Sequence, residues 1–360
     1  MRFGLNFFPS FLPEQKSGAQ YFRESFNLCA RADELGFSSV RMVEHHFAPY
    51  GGHSPNPIVF LSAVAQVAPR VRLVTGAVVP AFSHPLKLAG ELAMLDCISN
   101  GRLDAGFARA FLPDEFEAFG VSMEESRARY TEGIEACVRL WTEERVSFQG
   151  PFHKWENVSL YPRPIQQPHP PVWVAAVGTP ESFEYAARNG YNLMFVPYVS
   201  DFQKLAGLVQ YYRDTWKAAG HPPGAEKVSM SAHCYVAESR DEALRLCRPA
   251  WDQYHRVFHD RVRLFVGHPS PQYKGYDEIA ALVGSFTYEQ MVEEERIYVG
   301  TPDEVAAQFE RAFALFGDVE PSLQINFANM SEAEGRRTLE LLAQHVLPRF
   351  ADAPARMASH

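Results

Sequence analysis

The stretch YFRESFNLCARADELGFSSVRMVEHHF, residues 21–47, decides the fold. Phe22, Phe26, Cys29, Ala30, Ala32, Asp33 and Leu35 recur at helical spacing, and Gly36 stands at the expected stop position. Ser38 to Val43 then reads as a short β-rich run, so a helix feeds directly into a strand. Arg2 to Phe8 supplies a strand before the helix and completes a βαβ unit. The rhythm continues outward through candidate strands at Val71 to Val78, Leu103 to Ala108, Val172 to Ala176, Leu193 to Val196, Val228 to Val236 and Ser322 to Asn326. Eight strands alternating with helical patterns predict a (β/α)8 barrel, whose chemistry sits on the loops after the strands. VEHHF, residues 43–47, occupies such a position after the second strand. Two insertions interrupt the pattern, Phe148 to Gln167 and Gly267 to Tyr298, and the second is long enough to be a lid. Residues 1–350 are expected to form one domain with a lid at 267–298, and residues 351–360 a frayed tail.

The 360 residues are 46% hydrophobic and 21% charged, enough to bury a large core. A net charge of −9 leaves no basic face for a phosphodiester backbone, so no nucleic-acid partner is expected. Cys29, Cys97, Cys137, Cys234 and Cys247 are odd in number and scattered, which predicts reduced, mostly buried thiols in a cytoplasmic protein. The chain opens directly on a strand, and nowhere do 18 apolar residues run together, so no leader and no membrane anchor are expected.

Consecutive side chains on an extended segment point to opposite faces, so His45 and His46 are poorly spaced to share one ion, and no metal is expected. Either imidazole suits proton handling near neutral pH, and either also reads as a hydrogen-bonded histidine in a half-buried loop. In VAAVGTPESFEYAARNG, residues 174–190, a strand ends at Val177, Gly178 admits close backbone approach, and Thr179 and Pro180 begin a helix. VGTPDEV, residues 299–305, is an internal control in which Thr301 and Glu304 complete a capping box. Ser182 takes the glutamate's place at the first site, so its amides stay open to an anion, with Glu181 as an adverse charge and an ordinary helix cap as the alternative. Arg109 in GFARAF, residues 106–111, and Arg127 in MEESRARY, residues 123–130, stand where guanidinium forks would suit phosphate, with surface ion pairing the alternative for Arg127. Gly76 and Ala77 are small residues in an otherwise β-branched strand, marking either close approach of a flat ligand or a packing bend. Phe7, Phe8, Phe107 and Phe111 fall at strand ends, where some of them could line an apolar cavity.

EHHF (44–47), HPLKLAGELAMLDCISNGRLDAGFAR (84–109), EFEAFGVSMEESRA (115–128), EYAARNG (184–190), KGYD (274–277) and VGTP (299–302) together resemble the bacterial luciferase family of flavin-dependent monooxygenases, especially the alpha subunit. The likeness runs from Met1 to about Phe350. It implies a usually dimeric (β/α)8 barrel that takes reduced FMN from a separate flavin reductase and reacts it with molecular oxygen to a C4a-hydroperoxide. It implies His45 as the catalytic histidine and a cis peptide at Gly76-Ala77 behind the isoalloxazine. It further implies phosphate contacts at Arg109, Arg127, Gly178, Thr179 and Ser182, with Glu44, Ala108 and Val177 also at the flavin. Phe8, Phe111 and Tyr254 are the expected pocket residues for a hydrophobic organic substrate. Ala108 replaces the family's reactive cysteine and Tyr254 a tryptophan, which points away from fatty-aldehyde luminescence, while an apolar, aromatic-lined pocket under a long lid would suit a hydrophobic or polycyclic substrate of secondary metabolism. A deazaflavin-dependent hydride transfer on the same barrel and a non-catalytic partner subunit are the alternatives.

Overall fold

The computed structural model describes residues 1–267, 270–273 and 276–351. Eleven strands occur among them: β1 (Gly4–Phe7), β2 (Ser39–Met42), β3 (Arg72–Thr75), β4 (Leu103–Phe107), β5 (Val146–Gln149), β6 (Lys154–Val158), β7 (Val172–Ala176), β8 (Asn192–Phe195), β9 (Val228–Val236), β10 (Tyr298–Gly300) and β11 (Glu320–Gln324). Eight of them pair in parallel in the order β1-β2-β3-β4-β7-β8-β9-β11, and β11 returns to β1, which closes the expected barrel.

Period-two alternation explains why these runs became barrel strands. Leu5, Phe7, Val40, Met42, Leu73, Leu103 and Phe107 face outward into one continuous apolar layer with the helices. Burial of each large side chain there contributes about 1.5–3 kcal/mol. The intervening Asn6, Arg41, Ser231 and Gln324 occupy the other face, the lumen, where they border a cleft.

The helix of the first βαβ unit runs Gly18–Glu34, capped by Ser17, and the chain turns into β2 through Gly36 at φ 86°. Its start lies a few residues earlier than periodicity suggests, because the capping serine sets the first turn. The strand expected over 71–78 ends at Thr75, and the Gly76-Ala77 peptide that follows is cis. The first insertion carries a hairpin, β5 and β6, in which Phe148 and Trp155 stack at 4.8 Å. The second holds short helical turns at Arg263–Gly267 and Pro271–Tyr273 and helices at Tyr276–Ser285 and Tyr288–Glu293, followed by β10, which pairs with β9 outside the barrel order. Lys274 and residues 352–360 lie outside the described residues.

Candidate active site

The end of β2 delivers Glu44, His45 and His46 to the C-terminal rim of the barrel, and alternation sends the two imidazoles different ways. His45 borders the cleft, and its Nδ1 lies 3.2 Å from Glu115 Oε1. The same oxygen accepts the His46 amide at 2.8 Å. Since a carboxylate only accepts, Nδ1 is the donor, and His45 Nε2 has no partner among the described residues. His46 instead packs edge-on against Phe119 at 4.8 Å and meets Glu44 through Nε2 at 3.2 Å. Glu44 also accepts the Val79 amide at 3.0 Å, which ties β2 to the loop after β3. Gly51 holds the next loop against His45: at φ 75° it sits where a Cβ would lie 2.7 Å from the ring's Cδ2.

Burial pushes the Glu44 carboxyl above the usual carboxylate range, against its hydrogen bonds from His46 and Val79. At Glu115 burial acts in the same direction, but the charge and hydrogen bond of His45 and the His46 amide outweigh it and leave the carboxyl low. A carboxyl depressed by folding contributes stability that is complete above its unfolded value and is lost as pH falls through the folded value. Glu115→Gln should therefore lower stability at neutral pH by about 2 kcal/mol, the scale of a charged hydrogen bond. It should also flatten the acid limb of a melting-temperature profile below about pH 4.5. An unchanged acid limb would remove Glu115 from this role.

The cleft encloses about 1310 Å³ of open space, mouth included. Phe8 and Tyr50 flank His45 with ring centroids at 5.4 and 5.3 Å, and Phe111 meets it edge-on at 5.8 Å. The cis Gly76-Ala77 peptide forms part of the wall beside Ala108, Ala175 and Met194. Gly76 is required by packing, because its Cβ would lie 2.0 Å from Arg41 Cγ. Tyr254 is not among the lining residues; it is fully buried, and its hydroxyl pairs at 2.7 Å with that of Tyr198, which does line the cleft. Burial pushes the Tyr198 hydroxyl up to about 12, so it stays protonated at neutral pH.

A second group of residues gathers around Arg109, which follows β4 and also borders the cleft. Arg109 lies over the Tyr273 ring at 4.3 Å and donates through Nη2 to the Gln272 carbonyl at 3.0 Å, while its buried Nη1 has no partner among the described residues. Arg127 is half-buried and its guanidinium makes no hydrogen bond among the described residues; burial and the neighbouring Arg109 charge lower its pKa, with Glu181 acting against them. Two guanidinium groups that repel one another are expected to welcome an anion between them. The helix Pro180–Arg188 begins at Thr179, whose side chain caps no amide; its Oγ1 pairs instead with Ser182 Oγ at 2.9 Å. The control behaves as expected, with Thr301 and Glu304 forming the full capping box. A Cβ at Gly178 would meet only Ser200 Oγ, at 3.9 Å. Gly178→Ala should then leave stability within about 0.5 kcal/mol of the parent, as at other sites free of contacts. It should weaken binding of a phosphorylated ligand about tenfold if the ligand's phosphate occupies that space. Equal affinity in a titration would exclude this cradle.

Glu44, His45, Gly76, Ala77, Ala108, Arg109, Val177, Thr179, Ser182, Phe8 and Phe111 all border the one cleft. Arg127 and Gly178 adjoin residues that do, and Tyr254 stands one layer behind. Arg41, Glu115, Tyr50 and Tyr198 also border it and were missed in the sequence. Among the described residues no group of three or more His, Cys, Asp and Glu is placed to hold a metal, and no helix is long and apolar enough to cross a membrane. The cysteines are unpaired, four of them buried.

A parallel barrel with an imidazole–carboxylate pair over an apolar cleft and unpaired arginines at its edge fits the flavin-dependent monooxygenases, and that is the enzyme class of this chain. The chain belongs to the luciferase-like monooxygenase family, whose model matches residues 1–318. It is 30% identical over 368 residues, 98% of this chain and 96% of the relative, to the oxygenase component of flavin-dependent trigonelline monooxygenase from Acinetobacter baylyi. The crystal structure of monooxygenase RslO1 from Streptomyces bottropensis superposes with a TM-score of 0.88 at 46% identity, covering 98% of this chain and all of that one. The oxygenating constituent of 3,6-diketocamphane monooxygenase from Pseudomonas putida, solved in complex with FMN, shares the fold with a TM-score of 0.81 at 21% identity, over 97% and 98% of the two chains.

Proposed function

We propose that this chain is the oxygenase component of a two-component system that receives reduced FMN from a separate flavin reductase and uses molecular oxygen to oxygenate a hydrophobic organic substrate. The observation that carries this reading is the pairing of an apolar, aromatic-lined cleft with two guanidinium groups that lack an anionic partner. The likeness to an oxygenase component supports the reductase partner.

Arg109, Arg127, Gly178, Thr179 and Ser182 would hold the FMN phosphate, with Glu44, Gly76, Ala77, Ala108 and Val177 around the ring. The residues present fit such a group, since Arg109 Nη1 is orphaned and the space over Gly178 is open. Bound reduced flavin supplies the two electrons that activate oxygen. His45 would hold or deliver a proton at Nε2 while Glu115 fixes its tautomer through Nδ1. Phe8, Phe111 and Tyr50 would keep water from the reacting centre, and Tyr254 would hold the Tyr198 hydroxyl in place. Residues 267–298 would act as a lid: Tyr276 and Ile279 border the cleft, and Tyr273 packs on Arg109.

The apolar lining suits a hydrophobic, aromatic or polycyclic substrate of secondary metabolism. Exposed Val59, Val67, Met94 and Ile98 on the adjoining helices Pro57–Val67 and Pro85–Ile98 support a homodimer. A cytoplasmic location agrees with the free thiols. The deciding experiment mixes the protein anaerobically with reduced FMN, admits oxygen in a stopped-flow cell and follows absorbance. A transient distinct from both reduced and oxidised FMN is expected. Direct return of oxidised FMN, together with anaerobic turnover of a reduced deazaflavin, would replace oxygenation by hydride transfer.

A further inference from the structure

Arg41 lies in the lumen at the base of the cleft and is 4% exposed. Its Nη1 donates to Ser231 Oγ at 3.2 Å and its Nη2 to Ser229 Oγ at 2.7 Å. Nε has no partner, so only two of the guanidinium's N–H groups are matched. Among the described residues it forms no ion pair; Glu320 and Asp104 act on it only from a distance. Glu320 is engaged by Ser38, Ser39 and Arg2, and Asp104 by Arg72. Burial pushes the guanidinium down to about 10, which leaves it charged at neutral pH.

A buried cation without a counter-ion is costly, and proteins keep such groups where a ligand completes the pair. The side chain is also fixed in place. Its Cγ and Cδ fill the space over Gly76, where a Cβ would lie 2.0 and 2.2 Å away, so the aliphatic stem supports the cis peptide while the serines hold the head. The arginines proposed for the phosphate come from other elements: Arg109 follows β4 and Arg127 opens the helix Ser126–Thr142, whereas Arg41 lies within β2.

We propose that Arg41 anchors a delocalised, ring-borne oxyanion at the base of the cleft. This rests on the flavin reading above. Two sources carry that chemistry: the N1–C2=O edge of reduced flavin, which is anionic where the oxidised ring is neutral, and an enolate or phenolate of the organic substrate. Arg41 is thus a positioning and charge-matching residue, separate from the proton handling at His45.

The test compares the parent protein with Arg41→Met and Arg41→Lys. Oxidised and anaerobically reduced FMN are titrated by fluorescence and absorbance, and 4-nitrophenol, whose colour reports ionisation, serves as the oxyanion probe. If the flavin is the source, Arg41→Met weakens reduced FMN at least tenfold, leaves oxidised FMN within threefold, and lowers the bound-flavin potential by about 30 mV for each tenfold. Arg41→Lys recovers most of the loss. If the substrate is the source, both FMN forms bind normally and 4-nitrophenolate binding falls tenfold in the methionine variant. In either case the ligand-free methionine variant melts no lower than the parent, because it removes an uncompensated charge. Unchanged binding of all three probes overturns the proposal, and a lowered melting temperature beside it assigns Arg41 to structure alone. Failure of the parent to bind FMN in either redox state would instead overturn the flavin reading.

Discussion

Replacing both Arg109 and Arg127 by alanine is expected to weaken FMN binding by two orders of magnitude or more while leaving riboflavin within threefold. Each guanidinium offers charge-assisted hydrogen bonds worth about 1.5–3 kcal/mol, and 1.4 kcal/mol is a factor of ten. The two effects will not add fully, since the groups share one anion. Arg109 contributes the larger part: its Nη1 is buried and unpartnered, whereas Arg127 is half-exposed and screened by salt. Parallel fluorescence titrations of FMN and riboflavin, repeated at two salt concentrations, make the measurement. An equal loss for both ligands would mean that the arginines support the cleft rather than the phosphate.

His45→Ala should separate binding from chemistry. FMN affinity should remain within threefold, because the imidazole's partners are Glu115, Phe8, Tyr50 and Phe111, and neither arginine is among them. Oxygenated product per turnover should fall by roughly 10²–10⁴-fold, the usual range for a lost acid–base group, with hydrogen peroxide released in its place. His46→Ala provides the contrast. It removes an aromatic contact with Phe119 and the bond to Glu44, so it should lower thermal stability and leave coupling near that of the parent. Unchanged coupling in the His45 variant would move the proton-handling role to another residue.

The barrel was legible because its outward-facing strand residues are uninterrupted Leu, Val, Phe and Met between well-punctuated helices. The helix starts at Thr179 and Thr301 were legible down to the difference between an open and a closed capping box. The hairpin of the first insertion was missed although its signal was present, with Val146, Phe148 and Trp155 buried between exposed neighbours. Glu115 carried no such signal: its partnership with His45 spans 70 positions, and no local pattern encodes a contact that the barrel makes by closing. Arg41 was hidden by its surroundings, an isolated charge inside an apolar run. The period of two puts residues 39, 41, 43 and 45 on one face, so a charge at 41 belongs to the lumen as surely as His45 belongs to the cleft. Family resemblance, rather than spacing, carried the choice of His45 over His46 and the assignment of Gly76-Ala77.

Adjacent imidazoles facing opposite ways also constrain how this protein can diversify. Losing or gaining one residue between β2 and Glu44 would exchange the faces, sending His45 into the Phe119 packing and His46 into the cleft. Length is therefore frozen on that side of the barrel. Among the described residues, the long segment after the helix Arg240–Val262 meets the site through Phe265, Gln272, Tyr273, Tyr276 and Ile279. New substrates are expected to be acquired there, by changes in loop length and sequence that leave the imidazole phase untouched.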